Sequence, residues 1–232
     1  MWESIRTYGF WQGEAWNKRK DGAHFAEEIT VTMVPDIAGR PSHYIAVFSD
    51  VTKSQERQHW LEQQSYFDNL TGLPNRILLM ERLTKAIEGT KASGVSLGLA
   101  FIDLDGFKEV NDKFGHAAGD TLLVQTAGRL AQALRASDTL ARLGGDEFIA
   151  VVPDRKDSTV LPILMQRLLD AACVPIELEG VFVKISASIG VARFPSDASS
   201  AEELLSVADA AMYGAKRDGR NRYRVYRPGP SE

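Results

Sequence analysis

The sequence predicts an α/β fold, and three observations carry that expectation. The run from Val95 to Ile102 is almost wholly apolar with no alternation, which marks a central strand buried on both faces. Ala141 to Val152 holds two strand-like segments around Gly144-Gly145, the pattern of a tight hairpin whose central residues need positive φ. Apolar residues at helical spacing recur in stretches beginning near Ala118, Ser158 and Ala201, which supplies helices to cover a sheet. With 232 residues, 44% hydrophobic and 25% charged, the chain has room for one full domain plus a small extra piece.

Taken in order, residues 1 to 50 read as three short strands. Gly9 to Asn17 leads to a turn at Lys20-Asp21-Gly22, His24 to Val34 is a strand, Pro35 to Arg40 turns again, and His43 to Asp50 is the third strand. Three strands alone bury little, so this piece should lean on something else. Phe10-Trp11-Gln12-Gly13-Glu14, Lys18-Arg19-Lys20-Asp21-Gly22 and the stretch from Tyr44 to Thr52 resemble the C-terminal half of a PAS sensory domain, without the N-terminal half that walls that family's ligand cleft. An unrelated three-stranded appendage is the plainer reading. Thr52 to Asp68 is rich in Lys, Glu, Gln and Arg and reads as a polar connecting helix. Its thin stripe of Trp60, Leu61 and Phe67 can pair with a second copy, or the helix is merely solvated. The expected boundaries are 1–51 for the PAS-like piece, 52–68 for the connecting helix and 69–227 for the main domain.

Asp68 to Arg76 has turn chemistry, and a helix from Arg76 to about Gly89 should follow. The buried strand ends in Asp103-Leu104-Asp105-Gly106-Phe107-Lys108. Gly115 to Asp120 opens a long helix with Leu123, Ala127, Leu130 and Leu134 on its core face, and Asp120 falls in the first turn, where the helix dipole favours a carboxylate. Beyond the Gly-Gly hairpin, a helix from about Ser158 to Ala172 turns Leu161, Leu164, Leu168 and Ala171 inward. Phe182 to Val191 alternates cleanly, with Lys184, Ser186 and Ser188 as the polar set, and reads as a strand with one wetter face. Ser200-Ala201-Glu202-Glu203 is a capping box for a helix that buries Leu204, Ala208, Ala211 and Ala215 and stops at Gly219. Tyr223 to Tyr226 is a last strand.

Composition excludes several classes. Net charge is −4 and no dense Lys/Arg run appears, which argues against duplex nucleic acid as a partner. The single cysteine, Cys173, rules out an intrachain disulfide or a thiolate metal cluster and suits a reducing cytosol, so a cytoplasmic setting is expected. No signal-peptide pattern and no membrane-length apolar run is visible.

Asp146 and Glu147 follow the Gly-Gly turn, where bare backbone and two carboxylates suit a divalent metal and a phosphate. Asp103, at the end of a buried strand and just before a glycine, is a second such place. A solvated acidic turn is the plainer reading of either site alone. Asp68-x-Leu-Thr-Gly-Leu-Pro-Asn-Arg76, Phe101 to Lys108, Asn111-Asp112, Gly115-His116-x-x-Gly119-Asp120, Arg142 to Phe148, Ser188-Ile189-Gly190, and Ala208 to Lys216 with Gly219-Arg220-Asn221 together resemble the GGDEF diguanylate cyclases, over Asp68 to Tyr226. The resemblance implies a central, mostly antiparallel sheet flanked by helices. It implies an enzyme that joins two GTP into cyclic di-GMP and releases two pyrophosphates, one GTP per domain, in a homodimer.

Carried onto this sequence, the resemblance makes Asp103, the Leu104 carbonyl and Asp146 ligands of Mg²⁺, with Asp146 and Glu147 catalytic. Gly106, Phe107, Lys108 and Gly145 would line the phosphates, with Lys216 and Arg220 reaching them from a helix end. Asn111 and Asp120 would read guanine, with His116 nearby; an ionised Asp accepts from guanine N1 and N2, which adenine does not offer in that arrangement. Arg135-Ala136-Ser137-Asp138 resembles the family's inhibitory product site, where an arginine fork can grip cyclic di-GMP; a salt bridge at the helix end is the alternative. Two other readings stay open: a GTP- or cyclic di-GMP-binding module without chemistry, and a different nucleotidyl cyclase or polymerase palm domain.

Overall fold

The computed structural model describes residues 1–52, 65–93, 95–154, 160–178 and 180–227. The chain divides into two compact units, residues 1–63 and 64–232. The expected connecting helix over 52–68 lies almost entirely outside the described residues.

In the first unit, α1 (Trp2–Tyr8) precedes β1 (Phe10–Lys18), β2 (His24–Pro35) and β3 (Pro41–Asp50), which pair antiparallel in the order β1-β2-β3. The three strands match the sequence expectation. Helix α1 was not expected; Gly9, at φ 82°, ends it in the left-handed conformation that glycine adopts without a Cβ penalty. Ile5 on this helix is 1% exposed, and Trp2 packs edge-on to Tyr44 with ring centroids 5.6 Å apart. Every residue of β3 is exposed, Tyr44, Ile45, Val47 and Phe48 included.

The second unit is a three-layer α/β domain. Its sheet has the order β10-β9-β4-β6-β5, built from β4 (Ser96–Asp105), β5 (Thr139–Gly144), β6 (Glu147–Asp154), β9 (Ser186–Phe194) and β10 (Arg222–Val225). Only the β10–β9 pair is parallel, so the sheet is mostly antiparallel. A small hairpin of β7 (Ile176–Leu178) and β8 (Val181–Val183) stands apart. The helices are α2 (Arg76–Ser93), α3 (Phe107–Phe114), α4 (His116–Ala133), α5 (Val160–Ala172) and α6 (Ala201–Arg217). No helix among the described residues is long and apolar enough to cross a membrane.

Strand β4 shows why the apolar run did not alternate. Period-two geometry sends Ala100, Ile102 and Leu104 into one core with α4 and α5, and Leu97, Leu99 and Phe101 into the other with α2 and α6. Each such fully buried large side chain contributes about 1.5–3 kcal/mol. The strand runs three residues further than expected, so Asp103 and Asp105 lie within it and continue the Leu97–Leu99–Phe101 row. The apolar row becomes acidic at the end of β4, where both carboxylates are still buried.

Three expectations need correction. The segment 182–191 is not one strand with a wet face: it breaks into β8 and β9, and Ser188 is 0% exposed because helices cover both sides of β9. Asp120 is not in the first turn of α4, which begins at His116, so capping does not explain it. Leu134 and Ala171 are only partly buried; Leu122 and Leu169 take the expected core places. Helix α3 was not expected at all. The Ser200 cap holds: its hydroxyl accepts from the Glu203 N–H at 3.1 Å, while the Glu203 carboxylate accepts from Ser199 N–H at 2.7 Å.

Candidate active site

The tip between β5 and β6 is Gly145 and Asp146, one residue later than the expected Gly144-Gly145 centre: Gly144 pairs with Glu147 at the end of β5, and Gly144 (147°) and Gly145 (51°) both take the positive φ that glycine adopts without a Cβ penalty. Pairing then sets Glu147 directly across from Asp103 on β4, and Asp103 in turn across from Ser188 on β9. The Leu104 N–H donates to the Asp146 carbonyl at 3.3 Å, which ties the tip to the end of β4. Asp103, Leu104, Asp146 and Glu147, distant in sequence, thus converge on one sheet end.

Lys216 arrives from the last turn of α6. That helix can lie close because β9 carries Gly190 beneath it; a Cβ there would fall 1.9 Å from the Ala208 carbonyl oxygen. The Lys216 ammonium then stands 2.8 Å from Asp103 Oδ2. Burial, followed by the Asp103 charge, raises the Asp146 carboxyl above its ordinary value despite Lys216 and Arg142. Burial, then Asp103, Asp146 and Asp209, raises Glu147 as well.

Beyond Asp103 the chain does something different with Asp105. Its carboxylate accepts from Ser186 Oγ (2.7 Å), Ser188 Oγ (2.8 Å) and the Asn221 N–H (3.2 Å). Arg220 stands 3.8 Å away. This anchors the reversal after α6, where Arg220 (φ 59°) and Asn221 (φ 47°) both take the left-handed conformation uncommon for residues with a side chain. Asp105, Ser186 and Ser188 were missed as site residues. A signal existed: Asp103 and Asp105 are two apart in a strand and so share a face.

Arg142 was also missed. It is 8% exposed, its guanidinium binds both oxygens of Asp68 (2.9 and 3.0 Å) and the Gly145 carbonyl (3.0 and 2.8 Å). It therefore braces the hairpin tip against the Asp68–Thr71 turn. Burial works against the Asp68 charge, but bonds from Thr71 and Arg142 prevail and hold its carboxyl below the ordinary value.

The remaining expected residues fall in two other places. Gly106, at φ 87°, caps α3 without any side-chain bond, so the N–H groups of Phe107 and Lys108 open this helix beside Asp105. Asn111 on α3 lies over α4 at Gly119, where a Cβ would meet Asn111 Oδ1 at 1.9 Å. His116 and Asp120 are exposed on the first part of α4. Among the described residues no hydrogen bond or ion pair joins Asn111, His116 or Asp120 to the acidic cluster. Arg135 and Asp138 lie elsewhere, in a cleft of about 200 Å³ that they line with Val152, Pro153, Leu164 and Arg167. Asp138 accepts from the Arg135 backbone N–H at 2.8 Å, closing its own turn, and no ion pair with the Arg135 side chain forms. Arg167, from α5, was missed because nothing in sequence links it to residue 135.

The donors at the sheet end are hard oxygens crowded together against one lysine, which fits a divalent cation. The set is two carboxylates and a main-chain carbonyl; among the described residues no cluster of three or more His, Cys, Asp or Glu stands ready to hold a metal.

Fold and site together define a class: an α/β domain on a mostly antiparallel sheet, with its carboxylates gathered at a glycine hairpin and the end of the central strand. The chain belongs to the family described as "Diguanylate cyclase, GGDEF domain", whose model matches residues 65–222. It is 45% identical over 163 residues to the bifunctional diguanylate cyclase/cyclic di-GMP phosphodiesterase MucR of Pseudomonas aeruginosa, covering 70% of this chain and 24% of that protein. The isolated GGDEF domain of TpbB (YfiN) from Pseudomonas aeruginosa superposes with a TM-score of 0.67 at 40% identity, covering 70% of this chain and 95% of that one. The coiled coil and GGDEF domain of DgcB from Caulobacter crescentus, in complex with c-di-GMP, gives a TM-score of 0.69 at 27% identity, covering 75% and 93%. The chain spans only 24%, 22% and 40% of the first curated relatives it matches.

Proposed function

We propose that this chain is a diguanylate cyclase unit: it binds GTP with Mg²⁺ and, facing a second copy, forms cyclic di-GMP with release of two pyrophosphates. The observation that carries the reading is the crowding of Asp103, Asp146 and Glu147 at a sheet end, against one lysine and beside the open start of α3. Asp103, the Leu104 carbonyl and Asp146 would hold the cation. Bound there, it would neutralise the triphosphate and acidify the ribose 3′-hydroxyl. The N–H groups at the start of α3 and of Gly145 cradle phosphate oxygens, and Lys216 and Arg220 bind the same phosphates from the other side. Asp146, whose carboxyl is raised, accepts the 3′-hydroxyl proton as that oxygen attacks the partner nucleotide's α-phosphorus and pyrophosphate leaves; Glu147 shapes the field around it.

Asn111 and Asp120 read guanine, with His116 at the rim, and the absence of a side chain at Gly119 leaves Asn111 its place. Each domain supplies one GTP, so two copies must meet; the N-terminal sheet and the 52–68 segment are the proposed contacts. Arg135 and Asp138, joined by Arg167, form the product site, where guanidinium groups grip cyclic di-GMP and hold the domain away from its partner.

Incubating the purified chain with GTP and MgCl₂ tests the reading. Cyclic di-GMP and pyrophosphate are the expected products, with little from ATP. Bound GTP without any cyclic product would favour the binding-module reading instead.

A further inference from the structure

A second basic surface lies between α6 and the edge strand β10. Residues 217 to 227 carry Arg217, Arg220, Arg222, Arg224 and Arg227, against a net charge of −4 for the chain. Arg220 belongs to the site described above. Arg217, Arg224 and Arg227 instead line a cleft of about 280 Å³ between α6 and the edge strand β10, with Tyr213, Gly214 and Tyr226. Among the described residues no carboxylate lines this cleft. Tyr213 is 62% exposed, a large aromatic face left open to solvent.

The cleft is shaped by one small residue. Helical spacing puts Ala210, Tyr213, Gly214 and Arg217 on a single stripe of α6. A Cβ on Gly214 would lie 2.7 Å from a terminal nitrogen of Arg224, so glycine lets that guanidinium lie flat on the helix backbone. Arg224 is also held by Asp218 at 3.3 Å. Its planar fork is therefore oriented before any ligand arrives, whereas Arg217 and Arg227 form no ion pair among the described residues. A bland reading is charge that keeps an edge strand from pairing with other chains. That role needs neither three converging guanidiniums nor an exposed tyrosine beside them.

We propose that this cleft binds one nucleotide unit, with phosphate on Arg217, Arg224 and Arg227 and the base stacked on Tyr213. Guanidinium forks match phosphate oxygens in pairs, and a tyrosine face accepts any planar base. The cleft volume suits a single base and phosphate rather than a whole dinucleotide. Free nucleotides and one half of a cyclic dinucleotide share this chemistry.

The test uses the full chain, ¹⁵N-labelled and without divalent cations. GTP, ATP, cyclic di-GMP and inorganic phosphate are titrated separately while the backbone signals of Gly214, Arg217, Gly106 and Asp120 are followed. The expected result is saturable change at Gly214 and Arg217 with the nucleotides, weakened about tenfold or more in the double variant Arg217→Ala/Arg227→Ala. Gly106 and Asp120 should respond in that variant as in the parent, which shows that the fold and the other site are intact. The separate curves distinguish a mononucleotide from a cyclic dinucleotide ligand. No change at Gly214 and Arg217, or equal affinity in parent and variant, overturns the proposal. Inorganic phosphate binding as tightly as the nucleotides overturns the base-stacking half of it.

Discussion

Asp103 and Asp105 sit two residues apart on the same face of β4, are 7% and 8% exposed, and are treated in opposite ways. Asp105 accepts three hydrogen bonds from Ser186, Ser188 and Asn221, with Arg220 close by. Asp103 is paired with Lys216, and faces two further carboxylates across the hairpin. A saturated carboxylate builds structure: Asp105 pins the left-handed turn that carries Arg220. A crowded one works against the fold and is kept for what it can bind. Of two buried acids at one sheet end, the under-satisfied one is the better candidate for chemistry.

The comparison breaks first on turnover. Asp146→Ala should lower cyclic di-GMP formation by about 10³-fold, a loss in line with removing one group that stabilises developing charge. Its melting temperature should not fall below that of the parent. Product formed at the parental rate would remove Asp146 from the chemistry.

Asp105→Ala should do the reverse in kind. It leaves two serine hydroxyls and the Asn221 N–H without their acceptor and should cost about 3 kcal/mol of stability. For a domain of this size that is a fall of about 6–12 °C in melting temperature. A calorimetric scan unchanged by the substitution would show that Asp105 anchors nothing.

The brace behind the hairpin comes next. Asp68→Asn should cost about 2 kcal/mol at neutral pH, the scale of losing a charged hydrogen-bond partner. The sign with pH follows from the lowered Asp68 carboxyl: its contribution is present above the unfolded value of 3.8 and is lost as pH falls through the lower folded value. Denaturation curves of parent and Asp68→Asn should therefore differ at pH 7 and converge under acid conditions. A difference that grows on acidification would contradict the pairing with Arg142.

The smallest effect sharpens the crowded side. Burial and the neighbouring Asp103 charge both work against an ionised Asp146. A group whose folded value is raised supports the fold only at low pH, so neutralising it should help. Asp146→Asn should raise the melting temperature by about 2–4 °C, the equivalent of about 1 kcal/mol. A lower melting temperature would mean that this carboxylate is satisfied after all.

The sequence by itself determined the main strands and the long helices, though not α1, α3 or the break between β8 and β9, and which residue types carry chemistry. An unbroken apolar run can only be a strand covered on both sides, and Gly144-Gly145 before Asp146 and Glu147 can only turn sharply. Family motifs then marked Asp103, Lys216 and Asn111 without any geometry. What only the tertiary structure decided are the pairings between distant segments. Arg142 finds Asp68 across 74 positions, and Ser186 and Ser188 find Asp105 across more than 80. In sequence Ser186 and Ser188 look like the wet side of an alternating strand. In the fold Ser188 is buried and Ser186 half-buried, because α6 closes over Gly190 and brings the far end of the chain against the same sheet face. Local pattern reports the period of a strand; which face is dry depends on what packs there, and that is settled only when both layers are in place.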